Sequence, residues 1–313
     1  MRYRVVHRSV CAYAAPVEGA LHAAVARPRT FASFWRTQRC VKHTLLISPE
    51  PDTLDEEADA WGNHQARFEV SRPHRELAVT ADSLIDVASP PPPDDATLAC
   101  SLPWEAVAAA AARGRSPAGQ AVLEQALPTA FTPPSPALRA YARESFTPGR
   151  PVAAAAVELC RRIFADFAYD PVATDLSTPV AEVFERRAGV CQDFAHLNLA
   201  MLRGLGLPAR YVSGYVKTGG GEPAAAGGPA APGDGGLIGS DASHAWLAVH
   251  LGTDNGEDLG WLDVDPTNAK VAGEEHLTLA WGRDYADVSP LKGVLVGGGE
   301  HVVSVQVAVR PVA

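Results

Sequence analysis

Cys191 is the first residue in this chain whose type and setting suggest chemistry. It follows Gly189-Val190, and the segment after it carries Phe194, Leu197, Met201, Leu202 and Leu205 at helical spacing. A thiol at a helix start lies beside amide N–H groups that no preceding turn satisfies, at the positive end of the helix dipole. Both features favour thiolate over thiol. The same amides could donate to an oxyanion formed beside the sulfur. The competing reading is an inert, buried thiol, the commoner fate of an isolated cysteine.

A base and its orienting acid occur further on. In SHAWLAVHL, strand alternation puts His244, Trp246, Ala248 and His250 on one face and Ala245, Leu247, Val249 and Leu251 on the other, core-facing side. His244 is thus expected to point away from the core, beside an indole able to shield it from water. Histidine is the commonest general base near neutral pH. In GWLDVDPTN, residues Trp261, Asp263 and Asp265 share a face, and the turn at 254–260 predicts a hairpin with the histidine strand. Either aspartate could then lie across from His244 and fix its tautomer. Taken singly, these residues read as a partly exposed strand histidine and solvated strand-end aspartates.

The elements that must position them follow from pattern. Residues 1–88 contain four runs rich in β-branched and aromatic residues, at 3–13, 39–48, 65–71 and 77–87, separated by turn signals; they predict an antiparallel β domain. The SPPPP run at 89–93 is a stiff linker. Helices are predicted at 103–112, 118–127, 136–145, 152–167, 179–187 and 191–205, and strands at 209–216, 244–251 and 260–265. The Gly/Ala/Pro-rich stretch 218–240 reads as a surface insertion or a lid. Alternation at 303–309 predicts a half-buried strand. The division is a β domain at 1–88, a linker and helical segment at 89–150, a core at 151–270, and a C-terminal segment at 271–313 whose strand packs back on the fold.

The blocks RRAGVCQDFAHLNLAMLRGLGLPARYVSGYV, DASHAWLAVHL and GWLDVDPTN, in that order, resemble the core of transglutaminase-like proteins. Residues 1–88 and the WGRDYADVSP run are similar to the flanking regions of a bacterial subgroup. The resemblance implies an α+β, papain-like core: a helix bearing the cysteine packed on an antiparallel sheet, preceded by an antiparallel β domain. It implies a thiol enzyme with Cys191 as nucleophile, His244 as base and Asp265, which directly precedes the Pro-Thr pair, as the carboxylate. The calcium and the extra β domains of animal transglutaminases have no counterpart here, so thiol chemistry is better supported than protein cross-linking.

Other residues rank lower. Gln192 and Asp193 could shape the site or be solvated first-turn residues. Trp246 and Tyr215 are candidates for substrate-binding or oxyanion support; Tyr211, Ser213 and Tyr215 share a strand face that could line a cleft. His196, about 140° around the helix from Cys191, reads as a packing histidine. Residues Arg283, Asp284, Tyr285 and Asp287 read as an ion-pair cluster. Arg27, Arg29, Arg36, Arg39 and Lys42, interleaved with Phe31, Phe34 and Trp35, read as a solvated basic face. A formal net charge of -9 argues against broad nucleic-acid binding. The five cysteines never form CxxC pairs, and Cys191, His196 and His244 lack regular ligand spacing, so neither a disulfide framework, a metal nor a cofactor is expected. No run of about 18 apolar residues occurs, and charges interrupt MRYRVVHRSV, so no membrane association and a cytoplasmic location are expected. The expected activity is that of a protease or amidase on a peptide or protein substrate. The alternatives are a protein-glutamine gamma-glutamyltransferase and a non-catalytic peptide-binding module.

Overall fold

A computed structural model describes residues 1–217, 238, 243–254 and 257–312. Its first sheet is organised by one long strand, Arg2–Arg27. Buried residues recur at every second position, Tyr3, Val5, His7, Ser9, Cys11 and Tyr13, as the period of a pleated strand requires. The first half of this strand pairs with His74–Ala88 on one edge and His301–Pro311 on the other. Its second half pairs with His64–Val70 and Leu291–Gly297. Thr37–Ser48 extends the sheet beyond His74–Ala88, and Thr53–Ala58 extends it beyond His64–Val70. All these pairings are antiparallel. The C-terminal strand thus packs back on the N-terminal sheet, but it is less buried than its alternation suggests: Val303 and Val305 are exposed, and Val309 alone in that run is fully covered.

The second sheet is antiparallel and ordered Lys270–Val271, Trp261–Asp265, His244–His250, Ala209–Val216, His276–Gly282. Its last strand lies beyond residue 270, where the sequence pattern closes the core. The histidine and aspartate strands are hairpin partners, with Leu247 opposite Val264 and Ala248 opposite Asp263. Against this sheet pack the helices Cys191–Gly204 and Val152–Asp166. Phe194, Leu197, Leu199 and Met201 join Ile163, Leu159, Leu247 and Val264 in one apolar cluster. Each such large side chain contributes about 1.5–3 kcal/mol on leaving water.

The other face of the second sheet is where sequence pattern and structure part. Every residue of His244–His250 is buried, so the polar-facing side of that strand is covered as well. The cover is the N-terminal domain. Arg29 stacks on Trp281 at 3.6 Å, and Arg210 stacks on Trp281 at 3.7 Å and on Trp261 at 4.5 Å. Arg36, 2 % exposed, bonds Asp263 at 3.0 Å and Thr278 Oγ1 at 2.7 Å. Arg29 and Arg36 therefore belong to an interdomain layer, not to the solvated basic face their spacing suggested. Planar guanidinium groups suit this role, because they stack on indoles while their edges still donate hydrogen bonds.

Candidate active site

The helix that carries Cys191 starts at that residue because of what precedes it. Asp193 Oδ2 accepts a hydrogen bond from the Val190 amide at 2.8 Å and one from Thr174 Oγ1 at 2.6 Å. This carboxylate anchors the first turn and is 4 % exposed. Its pKa is raised by burial, which the Thr174 and Val190 hydrogen bonds offset only in part. A Cβ at Gly189 would fall 2.8 Å from Asp193 Oδ2, so only glycine leaves the cap room to close. The helix ends in a Schellman motif: the Leu207 amide donates to Leu202 O, the Gly206 amide donates to Arg203 O, and Gly206 has a φ of +80°. Cys191 itself is partly exposed at the first helical position.

His244 lies at the start of its strand, 1 % exposed. Its Nε2 donates to Asp265 Oδ2 at 2.8 Å. Its Nδ1 makes no well-formed hydrogen bond among the described residues, although the Cys191 side chain is close enough to act on the ring. Burial alone would depress the histidine pKa. The Asp265 charge and hydrogen bond outweigh it, the Cys191 contact adds to them, and the result is a rise to about 10. For Asp265, burial pushes upward, but His244 and His276 outweigh it and hold the carboxyl far below its ordinary range.

Asp265 is gripped on both oxygens. Oδ1 accepts from the Thr267 amide at 2.9 Å, an Asx turn within the Asp-Pro-Thr-Asn run. Oδ2 accepts from His244, from Asn268 Nδ2 at 2.8 Å and from His276 Nε2 at 3.1 Å. Asn268 in turn accepts from the Ile238 amide at 2.9 Å. Asp263, the other aspartate the sequence left in play, is committed to Arg36.

The remaining candidates separate. Trp246 is fully buried, its ring 6.0 Å from that of His244, and its Nε1 has no hydrogen-bond partner among the described residues. A Cβ at Gly214 would lie 2.5 Å from the Trp246 ring, so the indole occupies space that only glycine leaves. Gln192 is half-buried at the second helical position. Tyr215, expected to support the site, instead bonds His7 Nδ1 in the N-terminal domain at 2.9 Å. Tyr211, on the same strand, is fully buried, and burial is the main cause that raises its pKa. His196 is a packing histidine: it stacks on Phe131 with ring centroids 5.1 Å apart, and its Nε2 accepts from the Tyr285 amide at 3.2 Å. Burial, with Arg203 adding, lowers its pKa to about 3. Arg283 and Asp287 form the expected ion pair at 2.9 Å. The Gly/Ala/Pro stretch at 218–240, apart from Ile238, lies outside the described residues. A cavity of about 260 Å³ reaches Ser243, the residue before His244, and is also lined by Tyr285, His22 and Lys292.

Sequence reasoning missed His276, Asn268 and Thr267. The last two were within reach, because Asp-Pro-Thr-Asn is a turn signature whose side chains bond locally. His276 had no signal: its strand and the Asp265 strand are not neighbours in the sheet.

Comparison with known proteins agrees with this architecture. Residues 139–266 match the transglutaminase-like superfamily, and residues 3–86 match the bacterial transglutaminase-like N-terminal region. The chain belongs to the transglutaminase-like superfamily, a group that includes cysteine-dependent enzymes. It is 41% identical to an uncharacterised protein of Mycobacterium tuberculosis over 99% of this chain and 93% of that one. It is 30% identical to an uncharacterised protein of Mycobacterium leprae over 100% of this chain and 99% of that one. A solved structure described as a candidate cysteine protease, from Cytophaga hutchinsonii, superposes with a TM-score of 0.71 at 18% identity, over 99% of this chain and 90% of that one. That likeness speaks to the fold. No helix among the described residues is long and apolar enough to cross a membrane.

Proposed function

We propose that the protein is a cysteine-dependent acyl-transfer enzyme that acts on peptide or carboxamide bonds through a thioester, with hydrolysis as its main outcome. The observation that carries this reading is the buried His244, bonded through Nε2 to Asp265, with Nδ1 unclaimed among the described residues and Cys191 among the groups that raise the ring's pKa.

In the proposed cycle, His244 holds the thiol proton and Cys191 is a thiolate. The sulfur attacks the substrate carbonyl carbon and its electrons move onto oxygen. First-turn amides of the Cys191 helix, which have no intrahelical carbonyl, can donate to that oxyanion. The unpartnered Trp246 indole is a second candidate donor. As the tetrahedral centre collapses, the carbon–nitrogen bond breaks and His244 gives its proton to the departing amine. Water, deprotonated by His244, then attacks the thioester and releases an acid and the thiol. An amine attacking in place of water gives transamidation.

The two outcomes separate when the enzyme is incubated with a glutamine-rich protein and a fluorescent primary amine. Ammonia release or new chain termini without fluorescence in the protein supports hydrolysis. Amine incorporation makes the protein a transferase. Neither product, from a folded chain, contradicts both. All five cysteines are unpaired, which favours a reducing compartment and supports placing the protein in the cytoplasm.

A further inference from the structure

We infer that His276 is a positioning residue for this site: a neutral imidazole that holds Asp265 aimed at His244 and is itself held in place by Arg36 of the N-terminal domain. The inference rests on the thiol–imidazole reading above and adds to it a second tier of residues, drawn from a strand outside the hairpin and from the other domain.

The hydrogen bonds set the tautomer. The Gly273 amide donates to His276 Nδ1 at 3.3 Å, so that nitrogen is the acceptor and the ring proton sits on Nε2. Nε2 then donates to Asp265 Oδ2 at 3.1 Å. His276 is 1 % exposed, and its ring packs T-shaped against the Trp246 indole with centroids 5.3 Å apart, so the imidazole has little room to turn. Three groups act on its charge: Asp265 favours the protonated form, while Arg36 and His244 oppose it. Burial outweighs Asp265, and the pKa falls below the ordinary imidazole value. His276 is therefore a fixed donor and not a second base.

Arg36 supplies the next link. Its Nη1 donates to the His276 carbonyl at 2.6 Å, and Nη2 reaches Thr278 Oγ1 and Asp263. One guanidinium of the N-terminal domain thus pins both the strand that carries His276 and the strand that carries Asp265. Rigid support behind a reacting group keeps its geometry productive.

The test compares His276→Leu, His276→Asn and His276→Gln in the full-length chain. The readout is the pH profile of Cys191 carboxamidomethylation, with a proton NMR spectrum of the far-downfield imidazole N–H shared by His244 and Asp265. The leucine variant lacks the donor, and the asparagine amide is too short to reach Asp265. Both should lose the downfield resonance, slow alkylation by roughly tenfold, the scale on which supporting partners act, and move the alkaline limb of the profile to lower pH. The glutamine variant, with an amide able to reach Asp265, should restore most of each. A folded leucine or asparagine variant with an unchanged profile and resonance overturns the inference, as does a glutamine variant no better than either. If leucine prevents folding, the contrast between asparagine and glutamine carries the test. Native Cys191 reacting no faster than Cys40 or Cys100 would instead sink the thiol reading beneath it.

Discussion

At the scale of single residues, the site turns on the competition between burial and charge at His244. Burial favours the neutral ring, yet the adjacent carboxylate wins and holds the proton up to about pH 10. Asp265→Asn removes that charge and should move the alkaline limb of the activity profile down toward the ordinary imidazole value of 6.5. Turnover should also fall by about a hundredfold or more. An unshifted limb in the folded variant would mean that Asp265 is not what charges the histidine. The same pair has a sign for stability. A histidine with a raised folded-state pKa contributes stability that is fully present below 6.5 and is lost as pH rises through about 10. Denaturant titrations of the native protein and of His244→Phe should therefore differ in slope with pH across that window. Parallel curves would contradict the coupling. Part of this site was legible in the sequence because its parts are local: a glycine shortly before a helix-start cysteine, alternation around His244, an aspartate directly before the Pro-Thr pair at Asp265. His276 was not, since no sequence periodicity reports a hydrogen bond between strands that are not neighbours.

At the scale of elements, the cysteine helix and the edge strand of the second sheet are both finished by side chains. Asp193 caps the helix, and Asp193→Ala should cost about 1 kcal/mol of stability, read from a denaturation midpoint. Because the cap also fixes where the first turn begins, Cys191 reactivity should fall with it. An alanine variant as stable and as reactive as the native chain would remove the cap from the account. Helix bounds were readable from apolar spacing and the Gly206-Leu207-Pro208 stop. The depth of burial was not, because alternation in SHAWLAVHL reports two unlike faces but cannot say that the more polar face is also covered. Arginine and tryptophan cover it, a pairing that composition reads as surface.

At the scale of the whole molecule, the N-terminal domain completes the second sheet. The strand His276–Gly282 is an edge whose free backbone groups meet side chains instead of another strand. Gln38 both accepts from the Thr278 amide at 2.7 Å and donates to the Thr278 carbonyl at 2.7 Å. Asn63 does the same for Trp281, at 3.0 Å and 2.9 Å. Such caps satisfy an edge and block pairing with another chain. Gln38→Leu and Asn63→Leu should each cost about 1–3 kcal/mol by stranding buried backbone groups, with the variants more prone to aggregate on heating. Variants that melt and scatter like the native protein would show the caps to be dispensable. The change from strands, ending at Ala88, to helices, starting at Asp95, was visible in the change of composition at the proline run. The dependence of one part on the other was not, because the interface is built from polar groups that look solvated until their partners are known.

The most direct test of the central claim is competitive alkylation of the native protein with iodoacetamide, mapped by peptide mass spectrometry. Cys191 should react first, ahead of the more exposed Cys100, and His244→Ala should slow Cys191 alone. Faster reaction at Cys100, or a Cys191 rate indifferent to the loss of His244, would contradict the account.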